Sequence, residues 1–299
     1  VLFRSSNRPF YGIAGKIAAA LLVFVICYAF FVALVRPVES YDAVAIWSLK
    51  AKILYLDKTV TPDFLNIIKT KFHGAHSDYP LLLPFSQVWF YTFTNNFNDI
   101  LVKVLFPSGF LAFLAVFYMF LKKAGIDRAL AVIFTFFLAS IRQFFNYSTN
   151  GYADMQVAVY ISVTFLAFFL WARKKEPAYF WTALFSCLFA IWTKNEGMVT
   201  LLGFILVSCI YIFERLKIGT GRISGHRKMI FSIICLTALF IAWEFFKRHA
   251  GLRDDVVNSK VFAGYDISGI FSRAASILYE YQRQIFGVKY WDLAWIAFI

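Results

Sequence analysis

The chain has 299 residues, of which 61% are apolar, 20% aromatic and only 16% charged, with a net charge of +13. Roughly a quarter of an average soluble domain is charged, so a water-soluble globule would leave too much apolar surface uncovered, and the same hydrophobicity excludes disorder. The apolar runs are continuous and do not alternate over about 10 residues as in a β-barrel; the composition predicts an all-α polytopic membrane protein. In such a protein the basic excess holds cytoplasmic loops against anionic lipid headgroups, and no nucleic-acid partner is expected.

Taken in order, the first span is 17–35, a charge-free run flanked by Lys16 and by Arg36-Pro37. No cleavage site of small residues follows it. A polar stretch leads to the apolar segment 81–93, which is interrupted early by Pro84. Thirteen helical residues cover about 20 Å, short of a hydrocarbon core of about 30 Å, so this segment is read as a helix lying at the interface. Further spans are expected at 104–121, 129–145, 155–172, 178–193, 198–213 and 229–246, with the start of another at 290. The loops at 38–103 and 247–289 lie outside them. The chain opens without Met and stops within an apolar run, as a piece of a longer protein would. Cys27, Cys187, Cys209 and Cys235 all sit inside apolar runs and are expected to act as small buried apolar residues.

Charge bias orients this layout. With the N-terminus inside, the loops 1–16, 122–128, 173–177 and 214–228 carry 14 of the 30 Lys and Arg in 43 residues. That is the distribution the positive-inside rule requires. The unusual polar residues then all face the other side, which is the periplasm or exterior in a bacterium, whose inner membrane is the expected location, and the lumen of the endoplasmic reticulum in a eukaryote.

Four clusters lie on that side. Asp42, after Glu39-Ser-Tyr, precedes a helical stretch whose apolar sector holds Ile46, Trp47, Leu49, Ile53 and Leu54. At about 100° per residue, Asp42 and Lys50 fall in that sector while Ser48 and Lys52 point away. An N-cap role for Asp42 and a snorkelling Lys50 compete with a functional one. His73-Gly-Ala-His76-Ser-Asp78-Tyr-Pro80 has metal-ligating residue types but no strong zinc spacing; helix capping by Ser77 or Asp78 is the plainer reading, and a divalent metal stays compatible with the site. Arg142 precedes Gly151-Tyr152-Ala-Asp154 at the head of a span, where Asp154 favours a helix N-terminus. Lys194-Asn-Glu196-Gly197 breaks the long 178–213 run; Lys194 either pairs with Glu196 or binds a lipid phosphate.

The order of these clusters resembles the type-C (GT-C) glycosyltransferases that use polyprenyl-phosphate sugars, especially the protein O-mannosyltransferase and lipid A aminoarabinose transferase group. Ser40-Tyr-Asp42-Ala is similar to the first-loop catalytic aspartate segment. His76-Ser-Asp78-Tyr-Pro80-Leu is similar to the His-Pro-Pro-Leu or Lys-Pro-Pro-Leu segment that opens the juxtamembrane helix. Gly151-Tyr-Ala-Asp154 resembles the Arg-Pro-Asp element, and Thr193-Lys-Asn-Glu-Gly197 the Thr-Lys-Gly-Pro turn. Ala43 stands where the family usually has a second acid, marking a divergent branch. The resemblance implies a GT-C-like helical bundle with juxtamembrane helices and an inverting transfer to a glycan, lipid or protein acceptor. It implies Asp42, Asp154 and Asp78 as catalytic residues and Lys194, Arg142 and Lys50 as ligands of the donor phosphate. It implies His76, Tyr152, Glu196 and Glu39 along the substrate, with the 247–289 loop, carrying Arg248, Arg253, Lys260 and Arg273, closing over the site. A polytopic transporter or lipid flippase is the alternative.

Overall fold

The computed structural model describes residues 12–58, 64, 68, 75–218, 227–252 and 267–287. Among these residues the regular structure is all helical: α1 (Ile13–Val35), a π-helical turn (Ala43–Ser48) running into α2 (Leu49–Asp57), α3 (Leu82–Thr94), a 3₁₀ turn (Leu101–Val104) leading into α4 (Leu105–Lys123), α5 (Arg128–Ser140), α6 (Arg142–Tyr147), α7 (Ala153–Lys174), α8 (Pro177–Thr193), a 3₁₀ turn (Asn195–Gly197), α9 (Met198–Lys217), α10 (Arg227–His249) and α11 (Ile267–Phe286). Five of the helices, α1, α4, α7, α9 and α10, are long and apolar enough to cross a bilayer. They keep large side chains such as Phe24, Phe31, Leu206, Phe231 and Phe245 more than half exposed. Water would not tolerate that much apolar surface; lipid does. The chain is an all-α polytopic integral membrane protein.

Two cores meet on α7. On one side Ala29 of α1, Phe110 and Leu114 of α4, Ala139 of α5 and Met155 of α7 pack together. On the other, Phe168 of α7 packs with Phe180 and Cys187 of α8, Phe204 of α9 and Leu236 of α10. Small residues set the closest approaches: Ala29 and Ala33 of α1 and Ala131 and Ala139 of α5 are fully buried. Without a hydrophobic force between helices in lipid, such close contact is what drives their association. Only Cys187 of the four cysteines is buried; Cys27, Cys209 and Cys235 face outward, so the expectation of burial fails for three of them.

The 129–145 run is not one helix. Ile141 is extended (φ −60°, ψ 114°), and the chain restarts as α6. The break leaves Arg142 exposed and turns Phe144 onto Phe110 and Phe113 at 5.2 and 5.6 Å, with Phe145 stacked on Tyr28 at 5.6 Å. The 13 residues of α5 alone are too short to cross, yet α5 and α6 together return the chain from the end of α4 to the start of α7, and both those neighbours cross.

Helix α3, also 13 residues long, behaves differently. Its first turn packs through Leu83 on Trp47 and on Ala153 at the start of α7. Its last turn packs through Tyr91 on Val38 and Val102, beside the end of α1 and the start of α4. Both ends of α3 therefore lie at the same end of the bundle, here called the head. The head also gathers the π-turn, α2 and the 193–197 break.

Candidate functional site

The head is built by backbone constraints before any polar side chain is placed. Gly151 has φ +88°, and a Cβ there would meet the Cβ of Ala43 at 3.1 Å. Only glycine allows that approach, and it lays the start of α7 against the segment after α1. Gly197 is tighter still: a Cβ would sit 2.0 Å from the carbonyl oxygen of Ala190. The turn between α8 and α9 thus folds directly onto the end of α8, with Lys194 extended at its start (φ −156°, ψ 151°). Lys103, 3% exposed, ties the remaining corner by donating from Nζ to the carbonyls of Arg36 and Pro37 at 3.1 and 3.2 Å. These are the carbonyls of the C-cap of α1 and of the residue after it, at the helix end where carbonyls lack intrahelical donors.

The polar side chains then form one connected series. Lys194 Nζ lies 3.1 Å from Asp154 Oδ1 and 3.1 Å from Glu196 Oε1. Burial alone would lower the lysine, but the two carboxylates together outweigh it and hold Lys194 above its ordinary value, firmly protonated. The next residue, Asn195, donates from Nδ2 to Asp78 Oδ2 at 2.5 Å, across 117 residues of sequence. Asp78 is 1% exposed and is the charge that Lys50 feels most. Lys50 is itself 1% exposed; its Nζ donates to the carbonyl of His76 at 2.5 Å and lies under the rings of Trp47 and Tyr79. Burial pulls Lys50 down to about 7, with Asp78 opposing.

Tyr152 joins the last member. Burial raises its hydroxyl, as do the charges of Asp42 first and Asp154 after it, while Ser40 is within hydrogen-bond reach. Asp42 and Asp154 therefore both act on one phenol. The Asp42 carboxylate makes no cap bond, and no hydrogen bond or ion pair of it is found among the described residues. It is half-buried and chemically unspent.

Several expectations change. Neither Asp42 nor Asp78 caps a helix, since the caps of the π-turn and α3 have no side-chain bond; Asp154 makes no cap bond either but lies in the first turn of α7, where the helix dipole favours it. Lys50 is enclosed under two aromatic rings and turned to a backbone carbonyl, so it fastens the His76–Asp78 loop and has no face for a phosphate. Arg142 is exposed on α6, with no ion pair among the described residues. Glu39 pairs at the surface with Arg36 at 3.7 Å. His76 stacks on Tyr79 at 4.9 Å in a left-handed backbone (φ 45°), its Nδ1 without a hydrogen-bond partner. Ser48 is buried, not outward, and accepts from Gln87 Nε2 at 3.5 Å. His73, Arg253, Lys260 and the expected span from 290 lie outside the described residues. Among those described, no group of three His, Cys, Asp or Glu side chains is close enough to hold a metal ion.

Asn195, Gln87 and Lys103 were not anticipated. Asn195 sits inside the quoted break; Gln87 lies within the apolar helix α3 and Lys103 in the turn that opens α4, both polar and both buried.

Searches against models of protein families, against curated proteins and against solved structures return no match.

Proposed function

We propose that the chain is a membrane glycosyltransferase of the GT-C type, moving a sugar from a polyprenyl-phosphate donor to an acceptor on the extracytoplasmic face with inversion. The observation that carries this reading is the convergence of Asp42, Tyr152, Asp154, Lys194, Asn195 and Asp78, drawn from four distant stretches, at one end of the bundle.

In this reading Asp42 accepts the proton of an acceptor hydroxyl or amine as that atom attacks the anomeric carbon. The bond from that carbon to the phosphate oxygen breaks, and polyprenyl phosphate leaves with the electron pair. Attack opposite to the leaving group inverts the centre. Lys194, kept cationic by its carboxylates, meets the growing phosphate charge. Because Glu196 has a side chain 56% exposed and Asp154 only 36%, Glu196 is the partner that a phosphate displaces. A groove of about 490 Å³ between α4, α5 and α7, lined by Phe113, Phe117, Phe120, Leu138, Phe165 and Phe169, suits an isoprenoid chain. Phe113 lies eight residues, about 12 Å, along α4 from its head end.

The test uses membranes containing the chain and labelled polyprenyl-phosphate sugars. Wild type is expected to pass label to lipid, glycan or protein, and Asp42→Asn to lose at least 100-fold in rate with unchanged membrane expression. Full activity in Asp42→Asn removes the carboxylate from the mechanism.

A further inference from the structure

A small polar pocket, adjoining the lysine–carboxylate series at Asn195, opens between the ends of α8 and α10. It has a volume of about 160 Å³ and is lined by Asn195, Met198, Phe240, Trp243, Glu244 and Lys247, with Ile191 behind. That is below the roughly 300–1,000 Å³ of drug-sized sites, so it admits a single ring and not a chain. Lys247 is buried, and its Nζ lies 2.6 Å from Glu244 Oε1. The pair cancels in charge while keeping donor and acceptor capacity. Trp243 lines the pocket, with its ring 5.9 Å from that of Trp192 and 5.6 Å from that of Phe246, and its Nε1 is buried with no hydrogen-bond partner. Asn195, which borders this pocket, is the same residue whose amide holds Asp78.

We infer that this pocket is a monosaccharide subsite, in which Trp243, Glu244, Lys247 and Asn195 bind the hydroxyl-rich ring of a sugar. A sugar offers an apolar C–H face for an aromatic ring and hydroxyls that both donate and accept. The pocket supplies an aromatic wall, a carboxylate, an ammonium and an amide around about 160 Å³. A phosphate is the poorer fit, because Glu244 sits 2.6 Å from Lys247 with a side chain 34% exposed, against 56% for Glu196, and yields less readily to an arriving anion. The identity of the ligand rests on the sugar-transfer reading; its location rests on the pocket's own chemistry. Asn195 gives the two sites a shared wall, so a ring seated here is one residue from Lys194.

The experiment measures binding of free glucose, mannose, galactose and N-acetylglucosamine to the detergent-solubilised full chain by saturation-transfer NMR. At least one of them is expected to bind, to bind equally well to Lys194→Ala, and to lose tenfold or more in affinity on Trp243→Ala. Trp243→Phe and Glu244→Gln, checked for monodisperse elution, are expected to lose about three- to tenfold, which keeps the test intact if Trp243→Ala does not fold. Inorganic phosphate is expected not to compete. Absence of binding by all four sugars, equal binding by the Trp243 and Glu244 variants, or displacement by phosphate overturns the subsite. The two readings fail separately. Unchanged donor and acceptor KM in Trp243→Phe and Glu244→Gln overturns the subsite and leaves transfer standing. Trp243-dependent sugar binding without consumption of any polyprenyl-phosphate sugar overturns transfer and supports the subsite.

Discussion

Lys50 and Lys194 stand at the same end of the bundle, linked through Asp78 and Asn195, yet they are driven in opposite directions. Lys50 is fully enclosed, sees one nearby carboxylate and falls to about 7. The Lys194 side chain is 17% exposed, touches two carboxylates at 3.1 Å and rises. Burial is the largest single influence on both. One carboxylate does not overcome it, and two in direct contact, with part of the hydration retained, do. The head thus contains an amine that gives up its proton far more readily than an ordinary lysine and an ammonium that stays charged. The first is a fastening of the loop; the second is available to an anion.

The contrast breaks most completely at Gly197. Both lysines depend on the turn that this residue closes, since Lys194 starts it and Asn195 within it holds Asp78. A methyl at Gly197 would meet the backbone of Ala190 and Ile191, which has no rotamer to relieve the contact. Gly197→Ala is expected to abolish folded, monodisperse protein or, at the least, all transfer activity, as judged by size-exclusion chromatography in detergent and by the labelled-donor assay. Wild-type behaviour in both would mean that the turn is not what sets the two lysines.

Much of this head was legible before any coordinates. Apolar run lengths located the crossings, and the polar residues at their ends marked where chemistry was affordable, because charge inside lipid is rare unless used. The 178–213 run with its polar break is two helices joined at Lys194, as its length required. The errors have specific causes. Ser48 was placed outward by a 100° step, but Ala43–Ser48 is π-helical, and its i→i+5 bonds advance each side chain by less. The kink at Ile141 has no Pro or Gly to announce it; it is stabilised by Phe144 and Phe145 finding partners on α4 and α1. The phosphate role for Lys50 came from the family resemblance, and neither a motif nor a helical period reports whether a tryptophan and a tyrosine close over a side chain. Asn195 is invisible to pattern because its partner is 117 residues away.

The Lys50 half of the comparison is sharpened by pH. Between about pH 7 and 10.5 the unfolded chain keeps a proton on this amine that the folded chain has released. The unfolded state therefore binds more protons in that window, and stability rises with pH across it. Below about pH 7 both states are protonated and the penalty is constant. Thermal unfolding in detergent should show Tm of wild type rising from pH 7 toward 10 relative to Lys50→Met, whose side chain has nothing to titrate. The result that sinks this is a constant difference between the two proteins across the window, which would mean that Lys50 titrates at its ordinary value in the folded state.

The smallest expected effect falls on Lys194, through the exposed member of its pair. An ion pair this accessible is worth about 0.2–1 kcal/mol, and only that amount stands between Lys194 and an arriving phosphate if Glu196 is the group displaced. Glu196→Gln removes the competing charge while keeping the side chain's shape, and Asp154 still holds the ammonium. Donor KM should fall by about 1.5- to 5-fold, acceptor KM should not move, and the gain should shrink as salt screens the anion. A raised donor KM would instead make Glu196 a ligand of the sugar or of the acceptor, and would leave Asp154 as the partner that must yield.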